Sequence, residues 1–198
     1  MTKIPPDIPT ILCLEGPWEN NEGTKTSVKP LLTLYQGASG TNFRYRYCET
    51  GGELRKHLQR RPNHHVPVLY LAFHGWNGTI QVGHDVVELE QLAEWMGPDH
   101  YQNSSVHFSA CHTLLAKQDA RDFVAYTDVA WLTGYRKTVD WVESAAADLL
   151  VLDLYSRKPQ NAKSVRLDQM DAFVKHHDSF LDRLGFAYFS DHPSEGPS

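Results

Sequence analysis

Cysteine is scarce in this chain: Cys13, Cys48 and Cys111 are the three in 198 residues. So few and so scattered, they exclude a disulfide framework and a four-thiolate zinc site, and the odd count fits reduced thiols in a cytosol. Positive charge is also short, with 19 Lys and Arg against 24 Asp and Glu and a net charge of -5. That balance excludes a protein that coats phosphates, and no nucleic-acid partner is expected. Long apolar runs are missing as well. The longest, Val66 to Phe73, is interrupted by Pro67 and is far too short to span a bilayer. Between Met1 and Gly16 the only apolar stretch is Ile11 to Leu14, well short of a signal-peptide core, so a cytoplasmic protein without membrane partners is expected. The chain has no GxxxxGK[ST], no GxGxxG after its first strand and no GxSxG. Phosphate-cradling loops and a serine elbow are thereby set aside, and no cofactor is expected.

What is present is an alternation of strands and helices. Apolar residues make up 41% and charged residues 22%, enough for a packed core. One domain over residues 1–198 is expected, with its core at about 10–190 and a loose polar tail at 190–198. Strands are predicted at Thr10 to Leu14, Asn42 to Cys48, Val66 to Phe73, Ser105 to Ala110, Val129 to Tyr135 and Phe186 to Phe189, with a small hairpin at Gly78 to Gly83. Helices are predicted from Ser27 to Tyr35, from a capping Thr50 to Arg61, and along the stripe Leu89, Leu92, Ala93 and Met96. Further helices follow at 114–126, Val142 to Tyr155 and Asp168 to Leu184. Such an order makes an α/β fold with a largely parallel sheet and helices on both faces.

In parallel sheets, ligands gather beyond the carboxyl ends of the strands. That rule selects Glu15, His74, Cys111 and Tyr135. Phe73-His74-Gly75 ends one buried strand and Ser109-Ala110-Cys111-His112 ends another. A thiol beside an imidazole is a nucleophile with its acid/base, and a glycine after the histidine lets a backbone N–H approach a carbonyl oxygen. Gly75 and Cys111 can then supply the two donors of an oxyanion hole. Taken singly, Cys111 reads as a small buried hydrophobe and His74 as an imidazole closing a strand; Cys13 and Cys48 read as core. Metal ligation is rejected, because none of the 11 histidines falls in a ligand spacing with a third group. The doublets His64-His65 and His176-His177 point to different sides of any regular element and read as exposed.

The two motifs together resemble the caspase-like cysteine peptidases, and most of all their bacterial CHAT-type and metacaspase-like members. An apolar strand into His-Gly, a hairpin, a helix, and an apolar strand into Ala-Cys occur here in that order. VAWLTGYRKTVDW followed by SAAADLL is similar to the strand and helix after the nucleophile in CHAT-type domains. The resemblance implies a caspase-like three-layer sandwich and a cysteine endopeptidase with a His74–Cys111 dyad, Gly75 and Cys111 as oxyanion donors, and protein or peptide substrates. It also implies activation by a protein partner or oligomer, in a bacterial defence or cell-death pathway. The other class of reading is a catalytically silent fold of the same kind, used as a binding or scaffold module.

Substrate choice rests on Glu15 and Ser109. Metacaspase-like members often carry an Asp two residues before the nucleophile, where this chain has the neutral Ser109. Glu15 stands where caspases place an arginine, so it favours a basic side chain before the cleaved bond, whereas Ser109 favours a small or uncharged one. Asp140 and Asp153 are further candidates for the carboxylate, and Trp141 reads as core.

Overall fold

The computed structural model describes residues 10–18, 26–60, 66–98, 100–156 and 167–190. Parallel strands dominate because the apolar runs are short, β-rich and joined through helices. β1 (Ile11–Glu15), β2 (Phe43–Tyr47), β3 (Val68–Ala72), β7 (Ser105–Ser109), β8 (Trp131–Tyr135) and β9 (Phe186–Phe189) form a six-stranded sheet in the order β2-β1-β3-β7-β8-β9. All neighbours are parallel except β9, which runs antiparallel to β8. A second sheet, β4 (His74–Trp76), β5 (Thr79–Val82) and β6 (Asp85–Glu88), is an antiparallel meander.

Both faces of the large sheet are covered, which is why β3, VLYLA, is buried throughout. Val68, Tyr70 and Ala72 face a core shared with α1 (Lys29–Ser39), α5 (Trp141–Ser156), α6 (Leu167–His176) and α7 (Asp178–Leu184). Leu69 and Leu71 face the other core, with α2 (Gly51–Gln59), α3 (Leu89–Met96) and α4 (Lys117–Thr127). The result is a three-layer α/β sandwich with a mostly parallel central sheet. The strand order reverses direction between β1 and β3, so the switch point lies at the end of β1, which carries Glu15, and the end of β3, just before His74. Among the described residues, no helix is long and apolar enough to cross a membrane.

Local chemistry explains where elements begin and end, and where the sequence-based boundaries shift. α2 starts as expected, Thr50 Oγ1 accepting the Glu53 N–H at 3.2 Å, while the Glu53 carboxylate reaches the Glu49 N–H at 2.7 Å. α1 starts two residues later than predicted and continues to Ser39. The Ser27 hydroxyl donates to Glu15 and accepts the Lys29 N–H, so it is committed before the helix begins. Cys48 falls just past β2 instead of inside it, yet it is fully buried, its N–H donating to the Glu15 carbonyl at 2.8 Å. The predicted hairpin gains a strand on each side. Asn77 and Gly78 both have positive φ, 50° and 80°, the two-residue turn that matches strand twist and joins β4 to β5. The single last helix is two, α6 and α7, parted at His177, whose φ is -110° and ψ 17°. Trp141, read as core, opens α5 with 41% of its surface exposed. The doublet His64-His65 and the tail beyond Ser190 lie outside the described residues.

The α2 cap gives a direct check. Thr50→Ala should cost about 1 kcal/mol in chemical denaturation, and Thr50→Ser should recover most of it.

Candidate functional site

Register builds the site. β3 and β7 pair with Ala72 opposite Ser109, so the chain leaving each strand continues side by side into His74-Gly75 and Ala110-Cys111. Gly75 fixes that apposition. A Cβ there would stand 2.1 Å from the Cys111 carbonyl oxygen, 2.5 Å from Thr113 Oγ1 and 3.1 Å from Ala110 Cβ. Only glycine lets the His74–Trp76 backbone lie this close to the cysteine turn. His74 is exposed and Cys111 half-buried, with Cys111 Sγ accepting the Val139 N–H at 3.5 Å.

The residue after the cysteine is held in an uncommon conformation. His112 has φ 54°. Its Nε2 lies 2.8 Å from Thr138 Oγ1, its carbonyl accepts the Gly78 N–H at 3.0 Å, and its ring meets the Trp76 indole edge-on with centroids 5.7 Å apart. A non-glycine residue in the left-handed region persists only where its surroundings hold it.

Glu15, Ala72 and Ser109 sit abreast on β1, β3 and β7, at the carboxyl edge. Glu15 is fully buried. Its Oε1 accepts from Trp18 Nε1 at 2.5 Å and the Val28 N–H at 2.7 Å, and its Oε2 from Ser27 Oγ at 2.7 Å and Tyr45 OH at 2.5 Å. Four donors, all neutral, suit an ionised carboxylate. The Trp18 ring also packs edge-on against His74, with centroids 5.5 Å apart, and so links the Glu15 end of the row to the histidine.

Ser109 turns inward. Its hydroxyl donates to Asp148 Oδ2 at 2.6 Å, and Tyr70 OH donates to the same oxygen at 2.6 Å. Asp148 Oδ1 accepts from Tyr135 OH at 2.6 Å and from His107 Nε2 at 2.7 Å. His107 Nδ1 lies 2.9 Å from Thr133 Oγ1. Thr133 Oγ1 also accepts from Tyr155 OH at 3.2 Å and lies 3.4 Å from the Val106 carbonyl oxygen, so both nitrogens of the His107 ring have hydrogen-bond partners. Burial alone would push the Asp148 carboxyl up, but the His107 charge and the hydrogen bonds from His107, Ser109 and Tyr135 outweigh it and hold the group below the usual carboxylate range. Burial first, and the Asp148 charge second, push the Tyr70 and Tyr135 phenols up, so both remain donors.

Of the four strand-end residues selected from the sequence, His74 and Cys111 lie on segments that Gly75 packs together, Glu15 forms part of the adjoining row, and Tyr135 is buried in the Asp148 network. Asp140 caps α5, its Oδ1 accepting the Val142 and Glu143 N–H groups, and Asp153 accepts from Tyr35 OH at 3.4 Å. Neither joins the row. Sequence reasoning missed Trp18, Trp76, His112 and Asp148. For Asp148 a signal existed: it is the one charged residue on the buried stripe Ser144, Ala147, Val151, Leu152 and Tyr155 of α5. The other two thiols are inert by environment. Burial, and then the Glu15 charge, push Cys13 well up, and burial with the Glu53 charge pushes Cys48 up to about 12.

Fold and site together define a three-layer α/β protein with a His-Gly segment packed on a cysteine turn at the carboxyl edge of its sheet. The chain belongs to a family of unknown function, DUF6642, whose model matches residues 9–189. No curated protein matches it.

Two outcomes follow. Gly75→Ala should lower stability and pull the His74 segment away from Cys111, read as a lower melting temperature together with a changed alkylation rate at Cys111. Asp148→Asn should cost about 3–5 kcal/mol by denaturant titration, because it removes the carboxylate that partners the buried His107 ring and three hydroxyls. The Asp148 carboxyl is depressed on folding, so its stabilisation is complete above about pH 4 and is lost as pH falls through the lower folded-state value. The asparagine variant should lack that acid limb.

Proposed function

We propose that this chain is a caspase-like cysteine endopeptidase, with Cys111 as nucleophile and His74 as general acid/base. The single observation that supports the reading is the contact of Gly75 with the Cys111 turn, which brings the His-Gly motif and the cysteine segment side by side at the carboxyl edge of the sheet. In the first step Cys111 gives its proton to His74 and Sγ attacks the substrate carbonyl; a C–S bond forms, the carbonyl π bond opens, and the oxygen becomes an oxyanion facing the Gly75 and Cys111 N–H groups. Each such donor is worth about 3 kcal/mol in related chemistry. His74 then gives a proton to the departing amine as the C–N bond breaks. Water, losing a proton to His74, attacks the thioester and releases Cys111 and the carboxylate product.

The residue before the cleaved bond is basic in this reading. Glu15 is fully buried and its two oxygens already accept four hydrogen bonds from neutral donors, so it would favour a lysine or arginine side chain through its charge and not through a direct hydrogen bond. The expected setting is cytoplasmic, in a bacterial defence or cell-death pathway, with cleavage switched on by a protein partner or by oligomerisation. These last points rest on the resemblance of the two motifs.

Labelling tests the nucleophile. In the native protein a lysyl chloromethyl ketone should modify Cys111 at least about tenfold faster than Cys13 or Cys48. Preferential modification of Cys13 or Cys48 would instead favour a silent scaffold. A peptide-library digest tests the pocket: cleavage after Lys or Arg is expected, and it should weaken at least about tenfold in Glu15→Gln. Cleavage after leucine or methionine, or an unchanged preference in the variant, removes Glu15 from the pocket.

A further inference from the structure

β4 carries a feature that the dyad does not use. His74 and Trp76 lie two residues apart on β4, so their side chains share one face of the small sheet, while Gly75 between them presses on Cys111 and Thr113. Trp76 is 73% exposed, the most exposed of the large hydrophobic side chains among the described residues. An exposed indole beside the cysteine turn is the kind of rigid anchor that dominates binding surfaces. It is also preset. The His112 ring braces its edge, and His112 is itself pinned through Thr138 and through Gly78 of the β4–β5 turn.

We infer that Trp76 and His112 form a shelf for an apolar or aromatic side chain of the substrate, one or two residues beyond the cleaved bond. This inference rests on the peptidase reading above. His74 protonates the departing amine, so the departing segment runs along β4 from His74 towards Trp76. Residues two apart on a strand are separated by about 6.7 Å, two residue rises of an extended peptide. The first or second residue past the bond therefore meets the indole. Acidic side chains are disfavoured there, because the Asp119 carboxylate lies 3.8 Å from where a Cβ on Gly78 would stand. Bracing by His112 means that little side-chain freedom is lost when the shelf is filled.

The test uses Cys111→Ala protein, which binds without cleaving, and calorimetry with peptides identical through a lysine. The two residues after the lysine are Leu-Phe, Gly-Gly or Asp-Asp. The Leu-Phe peptide should bind at least about tenfold more tightly than the Gly-Gly peptide, and the Asp-Asp peptide more weakly than both. Adding Trp76→Ala should reduce the first difference to less than about threefold, and Trp76→Phe should restore most of it. Equal affinities, or a preference that survives Trp76→Ala, would overturn the shelf. Wild-type protein supplies the second arm. A Trp76-dependent preference without cleavage of any peptide keeps the shelf and removes the peptidase; cleavage after the lysine without any preference does the reverse.

Discussion

The ion pair between His107 and Asp148 ties more of the molecule together than any other single contact. Through it and its hydrogen-bonding neighbours, β3 contributes Tyr70, β7 contributes His107 and Ser109, β8 contributes Thr133 and Tyr135, and α5 contributes the carboxylate and Tyr155. A buried charge pair is costly to desolvate and repays that cost only when each lone pair and each proton finds a partner. Here all four acceptor positions of Asp148 are occupied, and both His107 nitrogens have hydrogen-bond partners. The arrangement tolerates little sliding of one strand against another, because a shift in register would strand an ion in the core. The strand ends that carry the chemistry inherit that precision, for Ser109 is at once a member of the network and two residues before Cys111.

Above this hub the site is assembled by backbone rather than by long side chains. Parallel pairing delivers the ends of β3 and β7 to the same level, and Gly75 lets the two chains touch. The groups around the cysteine turn then divide in character. Glu15 and Ser109 are buried, with their hydrogen bonds already committed inside the protein. The exposed Trp76 meets the His112 ring, beside a turn that the Gly78 N–H and the His112 carbonyl stitch together.

Much of the architecture was legible because it depends on patterns of period two and 3.6. The buried run at Val66 to Phe73, the stripe ending at Gly97-Pro98 and the capped start at Thr50 each report a local rule that tertiary contacts did not override. The misses have physical reasons too. β6 escaped because Asp85–Glu88 is mostly exposed and its pairing is set by a neighbour rather than by its own composition. The antiparallel sense of β9 is a property of connection and not of the residues FAYF. The start of α1 moved because Ser27 has a distant partner in Glu15, twelve residues away. Trp76 and His112 carried no signal at all, since an exposed tryptophan and a left-handed histidine are visible only once the turn is built. Asp148 did carry one, as a lone carboxylate on an apolar helical stripe.

The outer strand β2 has a consequence for life at high concentration. Among the described residues no further strand pairs with it, so it offers a row of open backbone groups to any other chain. Its sequence alternates Phe43, Arg44, Tyr45, Arg46, Tyr47, with both arginines exposed. Bringing two copies edge to edge would crowd like charges and strip water from guanidinium groups, while Tyr45 is already engaged with Glu15. The same alternation that marks β2 as a strand therefore also discourages it from recruiting another, and keeps a sheet with an open border from growing into an aggregate.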